Sequence, residues 1–220
     1  MVVHIQDEQE VANFKYFWQR WGRWIFAVLI LLALAYLGYV LYQGHIRNNN
    51  EKAAAVFETF VTQANANNMA ESKKALMQLQ EKYPDTMNAT QATLMMAGSA
   101  FDEHKYDEAI RHLQWVKDRQ KDDLLQTIVA QRLATVYLQQ GKYNEALQAL
   151  DVKVVAQFKP ILLETKGDVL QAQKKNTEAM AAYQQALNLL DKDSVQRDVL
   201  QMKISSLSYI DIFQPEITSK

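Results

Sequence analysis

The chain has 220 residues, 22% of them charged, and a formal net charge of −1. With this balance and no run of five basic residues, the sequence excludes the basic surface that a nucleic-acid-binding protein needs. Six glycines and three prolines are few for this length, which disfavours a many-turned β protein and predicts an all-α fold. Cysteine is absent, so disulfides, thiolate metal sites and cysteine nucleophiles are excluded.

The first predicted element is a transmembrane helix over residues 23–44, built on the apolar run from Trp24 to Tyr42. About 20 apolar residues, each rising 1.5 Å, cross the roughly 30 Å hydrocarbon layer of a bilayer. The alternatives are a buried core helix, which would show a polar stripe, and a cleaved signal peptide, whose apolar region would be about 7 to 15 residues. Membrane-interface residues are predicted at the two ends of the run: Trp18, Trp21, Trp24, Tyr39 and Tyr42.

The charges on either side of the span predict its orientation. Three basic residues precede the span, Lys15, Arg20 and Arg23, and two follow it closely, Arg47 and Lys52. Because basic residues are more frequent on the cytoplasmic side, we expect a cytoplasmic amino terminus and a carboxy-terminal domain outside. The opposite orientation stays open, since the difference is a single residue.

Residues 1–22 are predicted to form a cytoplasmic or interfacial amphipathic segment and not a separate domain. Their apolar residues recur at three- and four-residue spacing: Val11, Phe14, Phe17, Trp18 and Trp21. The segment is therefore either a simple extension of the membrane helix or a docking surface for a membrane partner.

After the span, the sequence changes to a polar run and then to helical periodicity. Residues 45–52 predict a linker, residues 53–210 a helical domain and residues 211–220 a tail. From Ala53 onward, apolar residues at helical spacing form one stripe, and a second stripe ends at Pro84. Helices with one unsatisfied apolar face are typical of domains in which neighbouring helix pairs stack.

Three segments of this domain repeat: KYDEAIRHL, KYNEALQAL and KNTEAMAAY. Their shared glutamates are 37 and 33 residues apart, which brackets the 34-residue period of tetratricopeptide repeats. Eleven residues earlier stand the small residues that let paired helices approach: Ala97, Ala134 and Gly167. The fold prediction is therefore a tetratricopeptide repeat-like α-solenoid of three pairs, with a half-unit before them and a closing helix over 195–209.

The first helices of the pairs are predicted to line a concave groove. Its residues in the repeat register are Gln91, Leu94, Asp102, Gln131, Thr135, Gln139, Glu164, Asp168 and Gln171. This mostly polar set is either a protein-binding surface or the solvated face that helices expose without a ligand. It contains no arginine or lysine, which disfavours a site that clamps carboxylates.

The sequence does not predict an enzyme, a metal or a cofactor. His104 and His112 belong to the helical domain, but KYDEA begins a new helix between them, so they should not share a face. No glycine-rich phosphate loop, G-x-S-x-G or H-E-x-x-H motif is present. The adjacent carboxylates Asp122 and Asp123 are explained by helix capping. Methionines on the apolar stripes are expected in the core.

Segments along the whole chain match one known family. They are VANFKYFWQRWGRW running into the span, the unit TKGDVLQAQKKNTEAMAAYQQAL and the ending LQMKISSLSYI. With these segments the chain resembles the YfgM-type ancillary subunit of the bacterial SecYEG translocon, up to about Ile210. The resemblance implies a single-pass inner-membrane protein with a periplasmic repeat domain, associated with the translocon and with a PpiD-like periplasmic chaperone. It implies no catalytic residue.

The functional prediction is a membrane-anchored protein-binding scaffold that assists exported polypeptides. The span would confine the solenoid near its partner and raise the effective concentration of one for the other. The alternative is a cytoplasm-facing tetratricopeptide adaptor of a signalling or envelope-assembly complex. An unrecognised enzyme is a third hypothesis, which a metal or nucleotide retained on purification would support.

Overall fold

The computed structural model describes the backbone of residues 3–213 and the side chains of residues 15–209. The ends of the predicted amino-terminal segment and tail, and the side chains of Val11 and Phe14, lie outside the described residues. Within these limits the regular elements are α1 Val3–Asn65, α2 Met69–Lys82, α3 Met87–Asp102, α4 Tyr106–Arg119, α5 Asp123–Gln139, α6 Tyr143–Ala149, a 3-10 turn Ala156–Phe158, α7 Lys159–Ala172, α8 Asn176–Leu189 and α9 Gln196–Phe213. The predicted all-α fold is confirmed.

The chain divides into two compact units, Met1–Ala54 and Ala55–Lys220. In the first unit, α1 is long and apolar enough to cross a membrane, and the side chains of its most apolar stretch are not buried. This agrees with the predicted single amino-terminal membrane helix. Contact of such an apolar surface with water is unfavourable, whereas contact with the lipid of a membrane is favourable.

The predicted linker over residues 45–52 has regular secondary structure. These residues are helical and lie inside α1. Two side-chain pairs one turn apart support the helix there: Arg47 Nε lies 2.9 Å from Glu51 Oε1, and Asn49 Nδ2 lies 3.0 Å from His45 Nε2. Polar residues at this spacing fit a solvated helix as well as an irregular linker, and the sequence pattern did not separate the two.

The three predicted repeat units lie within Ala55–Lys220, and each of them contains the same kind of turn. His104, Gly141 and Lys174 close the first helix of each pair with positive φ angles of 58°, 71° and 62°. Such left-handed residues end helices by returning the next N–H to a carbonyl five residues earlier. These hydrogen bonds are Lys105 N to Ala100 O at 2.8 Å, Lys142 N to Tyr137 O at 2.9 Å and Lys175 N to Leu170 O at 2.9 Å.

The same turn occurs once more, ahead of the three predicted units. Asn67 has a φ of 56°, and Asn68 N donates to Gln63 O at 2.9 Å. Five residues after Asn67, Ser72 is completely buried, as alanine is at this position of the three later units. The segment predicted as a half-unit therefore has the turn geometry of a full unit.

Stacking of the helices builds apolar clusters, two of which lie within α3 to α9. In the first, Leu113 and Val116 of α4 meet Leu133 of α5, and alanines at the repeat positions allow close approach. In the second, α9 covers α8 through Leu200 and Leu207, both 1% exposed. Burial of one such leucine stabilises the fold by about 1.5–3 kcal/mol, so α9 is firmly held as the end of the solenoid.

The middle one of the three predicted repeat units is irregular. Its second helix, α6, has 7 residues, whereas α4 and α8 have 14 each. Valines at 152, 154 and 155 follow, and β-branched residues lose side-chain freedom in a helix. Val155 N instead donates to Thr127 Oγ1 at 3.3 Å, which attaches the non-helical segment to α5.

Candidate functional site

The five predicted membrane-interface residues are exposed side chains of α1. Trp18 and Trp21 are each 54% exposed, and Trp24, Tyr39 and Tyr42 are more so. Tyr39 Oη accepts a hydrogen bond from Gln43 Nε2 at 3.0 Å, which pairs two polar groups at the end of the apolar run. Their position at a membrane boundary stays a prediction.

Three of the nine predicted groove residues lie together. Asp102 of α3 and Gln131 and Thr135 of α5 line one cavity of about 260 Å³, which we call the α3–α5 cavity. Gln131 Nε2 donates to Thr135 Oγ1 at 3.3 Å, and this hydroxyl donates to the carbonyl of Gln131 at 3.0 Å. We call these three residues the open segment.

Three more predicted residues lie on the same two helices but do not line the cavity. Gln91 is exposed and Leu94 is half-buried on α3, and Gln139 is exposed at the end of α5. The structure thus leaves the whole predicted set on α3 and α5 at least partly accessible.

Gly98 and Arg132 are among the residues that line the α3–α5 cavity and that the repeat register did not predict. A Cβ atom added at Gly98 would have no neighbour within 4 Å, so the glycine leaves open space. Glycine inside a helix costs about 1 kcal/mol relative to alanine, and its presence in the middle of α3 was a signal for this space.

The remaining three predicted residues, Glu164, Asp168 and Gln171 of α7, are engaged by other parts of the chain. We call them the closed segment. Lys203 of α9 places Nζ 2.8 Å from Glu164 Oε1 and 2.6 Å from Asp168 Oδ1. Tyr183 Oη of α8 lies 2.7 Å from Asp168 Oδ1 and 2.9 Å from Gln171 Oε1.

Electrostatic interactions keep the closed segment in contact with Lys203 and Tyr183 at neutral pH. Burial lowers the pKa of Lys203, but hydrogen bonds to Asp168 and Glu164 outweigh burial, and the pKa lies above its usual value. Burial and the hydrogen bond to Asp168 raise the pKa of Tyr183 well above its usual value. Lys203 therefore stays charged and Tyr183 stays protonated while they contact the carboxylates.

A second cavity, of about 360 Å³, lies between α4, α5 and α6. Gln114, Tyr137 and Glu145 are among its lining residues, and none of them belongs to the predicted groove. This cavity is bordered by the second helices of two pairs and supplies a comparison surface for binding experiments.

The two histidines of the repeat domain are in different environments. His104 occupies the left-handed turn before α4, and His112 lies within α4. His112 Nε2 is 3.9 Å from Glu108 Oε1, which pairs with Lys73 Nζ at 2.8 Å. Burial lowers the pKa of His112, and Glu108 counteracts this in part. In the described part of the chain no group of three or more metal-ligating side chains comes together.

The predicted capping role of the aspartate pair is confirmed for Asp122. Its Oδ1 accepts hydrogen bonds from the backbone N–H groups of Leu124 and Leu125, both at 3.0 Å, at the start of α5. Asp123 contacts Lys153 of the non-helical segment after α6. Both carboxylates thus have structural partners.

Comparison with known proteins places these features in a wider group. The tetratricopeptide repeat-like domain family matches residues 15–209. A Neisseria gonorrhoeae protein described as an ancillary SecYEG translocon subunit is 50% identical over 94% of this chain and 100% of its own length. A Haemophilus influenzae protein with the same description is 25% identical over the same shares of the two chains. The solved tetratricopeptide repeat domain of Arabidopsis OM64 aligns with 56% of this chain and 97% of its own, at 13% identity and a TM-score of 0.44.

Proposed function

Because this chain belongs to the ancillary SecYEG translocon subunit family and contains a tetratricopeptide repeat-like domain, we propose that it is a membrane-anchored, protein-binding scaffold that associates with the translocon of the bacterial inner membrane. The observation that carries this proposal is the extent of the family match. It runs through the apolar stretch of α1 and through the repeat domain to residue 209. The matched residues therefore include both the proposed anchor and the proposed binding domain.

The proposed mechanism is tethering. A span over residues 23–44 holds the repeat domain at the membrane and raises its effective concentration near the translocon. Modest affinity per contact is then sufficient. We further propose that the domain faces the periplasm, where it meets exported polypeptides and a PpiD-like chaperone.

The open segment is the proposed contact surface for these proteins. Its side chains are accessible and line a cavity, whereas those of the closed segment already have partners within the chain. No catalytic step is assigned, because binding and positioning account for the proposed role.

A topology reporter tests the side of the membrane. Alkaline phosphatase fused after Lys220 should be active, because this enzyme matures only in an oxidising compartment. A cytoplasmic reporter at the same place should be inactive. The reverse pair of results would overturn the role in export and favour the cytoplasm-facing adaptor.

Purification from membranes tests the association itself. SecY should be recovered with the full-length chain after mild detergent extraction, in amounts well above those with an unrelated single-pass protein. A variant in which an unrelated span replaces residues 23–44 shows whether the span or the domain makes the contact. Absence of SecY from the full-length preparation would contradict the proposed function.

A further inference from the structure

The α3–α5 cavity is large enough for an entire side chain from another molecule. Its volume is about 260 Å³. A cavity of about 150 Å³ with apolar walls is known to hold benzene. The missing side chain at Gly98 adds to this space, since nothing lies within 4 Å of the Cβ that another residue would place there.

The walls of the cavity combine an apolar floor with a polar rim. Leu113 and Val136 are buried, and Phe101 packs against the same apolar cluster. Asp102 is exposed at the rim, and Gln131 is partly exposed. A floor of this kind favours a large apolar side chain, because binding removes apolar surface from water on both partners.

The polar rim favours an extended ligand over a folded one. The side-chain amide of Gln131 can donate two hydrogen bonds and accept others, and one donor is used by Thr135 Oγ1. An extended chain has backbone N–H and C=O groups free to pair with such an amide, whereas a helix has already satisfied its own. The amide thus recognises backbone without selecting a sequence.

The charges at the cavity do not select an anion or a cation. Asp102 and Arg132 carry opposite charges and both line it. Capture of a carboxylate terminus would require several cationic donors in a fixed arrangement. Lys203, on α9, is committed to Glu164 and Asp168.

The closed segment limits how far a ligand can extend. α9 is anchored by Leu200 and Leu207, and this anchoring keeps Lys203 beside Glu164 and Asp168. A ligand therefore contacts the first helices of two units, α3 and α5, and not α7. One large side chain in the cavity is then its main anchor.

From these observations we propose that the α3–α5 cavity binds one large apolar side chain, aromatic or branched aliphatic, of an extended polypeptide segment whose backbone lies along Gln131. This inference rests on the proposed function as a protein-binding scaffold and names the ligand chemistry of its groove. Specificity lies in one side chain, so many unfolded segments qualify as ligands.

Peptide binding to the full-length chain in lipid nanodiscs tests the proposal. The probe is a short fluorescent peptide of serine, glycine and asparagine with one central phenylalanine, and the control probe has alanine there. Fluorescence anisotropy should show about tenfold or tighter binding of the phenylalanine peptide, with empty nanodiscs as the background. Equal affinity for the two peptides would overturn the proposal.

Two substitutions at Gly98 separate filling of the cavity from damage to the helix. Gly98→Leu places a side chain in the empty space and should bring the affinity for the phenylalanine peptide down to that for the alanine peptide. Gly98→Ala should keep most of the preference. Gln114→Leu, which alters the cavity between α4 and α6, should keep all of it. Undiminished binding by a folded Gly98→Leu variant would overturn the proposal.

A photoreactive probe gives a result that does not depend on any variant. Benzoylphenylalanine in place of phenylalanine should form adducts on α3 or α5, and adducts found only elsewhere would contradict the cavity. Preference for phenylalanine without SecY recovery in the unaltered chain would refute the proposed function and retain the cavity.

Discussion

Gln131 and Thr135 of the open segment occupy the same positions of their repeat unit as Glu164 and Asp168 of the closed segment do in the next unit, yet the two pairs differ in what reaches them. Gln131 and Thr135 of α5 face a cavity with Gly98 and Arg132 nearby. Asp168, one unit later in the position of Thr135, contacts Lys203 of α9 and Tyr183 of α8. The repeat register predicts which side chains point toward the groove. The neighbouring helix determines whether they remain available.

The largest effect expected from this comparison is at two glycines. A Cβ at Gly167 would lie 2.3 Å and 2.5 Å from ring atoms of Tyr183, so Gly167→Ala must displace the ring from the closed segment. We expect unfolding free energy to fall by about 1–3 kcal/mol. The matched Gly98→Ala substitution has open space and should raise stability by about 0.5–1 kcal/mol. Urea unfolding followed by near-ultraviolet circular dichroism measures both, and equal effects would contradict the packing described.

The next effect concerns the ion pairs of the closed segment. Lys203→Met should lower stability by about 1–2 kcal/mol, because it removes the cation that pairs with two partly buried carboxylates, although solvent screens part of the loss. Adding Glu164→Gln and Asp168→Asn should restore part of it. Lys153→Met removes an exposed contact with Asp123 and should have no measurable effect. If both lysine variants unfolded at the same urea concentration, the distinction between the segments would be lost.

A smaller effect should appear in mild acid, at His112 of α4. The pKa of His112 lies below its usual value of 6.5, mainly through burial, and Glu108, Lys73 and Arg111 also act on it. Its contribution to stability is therefore present above about pH 6.5 and is lost as pH falls through the folded pKa.

Urea midpoints measured between pH 7 and 5 should fall less steeply for His112→Gln than for the unaltered chain. His104→Asn, in the turn before α4, is the matched control and should keep the original slope. The same slope in all three chains would show that His112 is not the responsible group. Hydrogen exchange should place the loss in α4 and not in α9, since α9 contains no histidine.

Much of the fold could be predicted because it depends on local spacing. The 37- and 33-residue steps between glutamates reappear as the steps between His104, Gly141 and Lys174. The unit before them was incompletely recognised because Ser72 replaces the alanine of the pattern, although both residues are small enough for a completely buried position. Asn67, which tolerates a left-handed conformation, was the signal available.

The site was less predictable because it depends on residues distant in sequence. The register placed Asp168 in the groove, but Lys203 reaches it from 35 residues away. Nothing in helical periodicity indicates that the closing helix will supply a cation to α7. Gly98 was detectable as a helix glycine, whereas the cavity beside it requires α3 and α5 to be assembled.

The most direct test of a membrane-tethered scaffold that binds proteins through its open segment is photo-crosslinking in intact cells. A photoreactive residue is placed in turn at Gln131 in the open segment, at Ala172 beside the closed segment and at Gln114 in the other cavity. We predict adducts with translocon subunits or exported polypeptides at Gln131, and few at the other two positions. No adducts at Gln131, or equal yields at all three positions, would contradict the account.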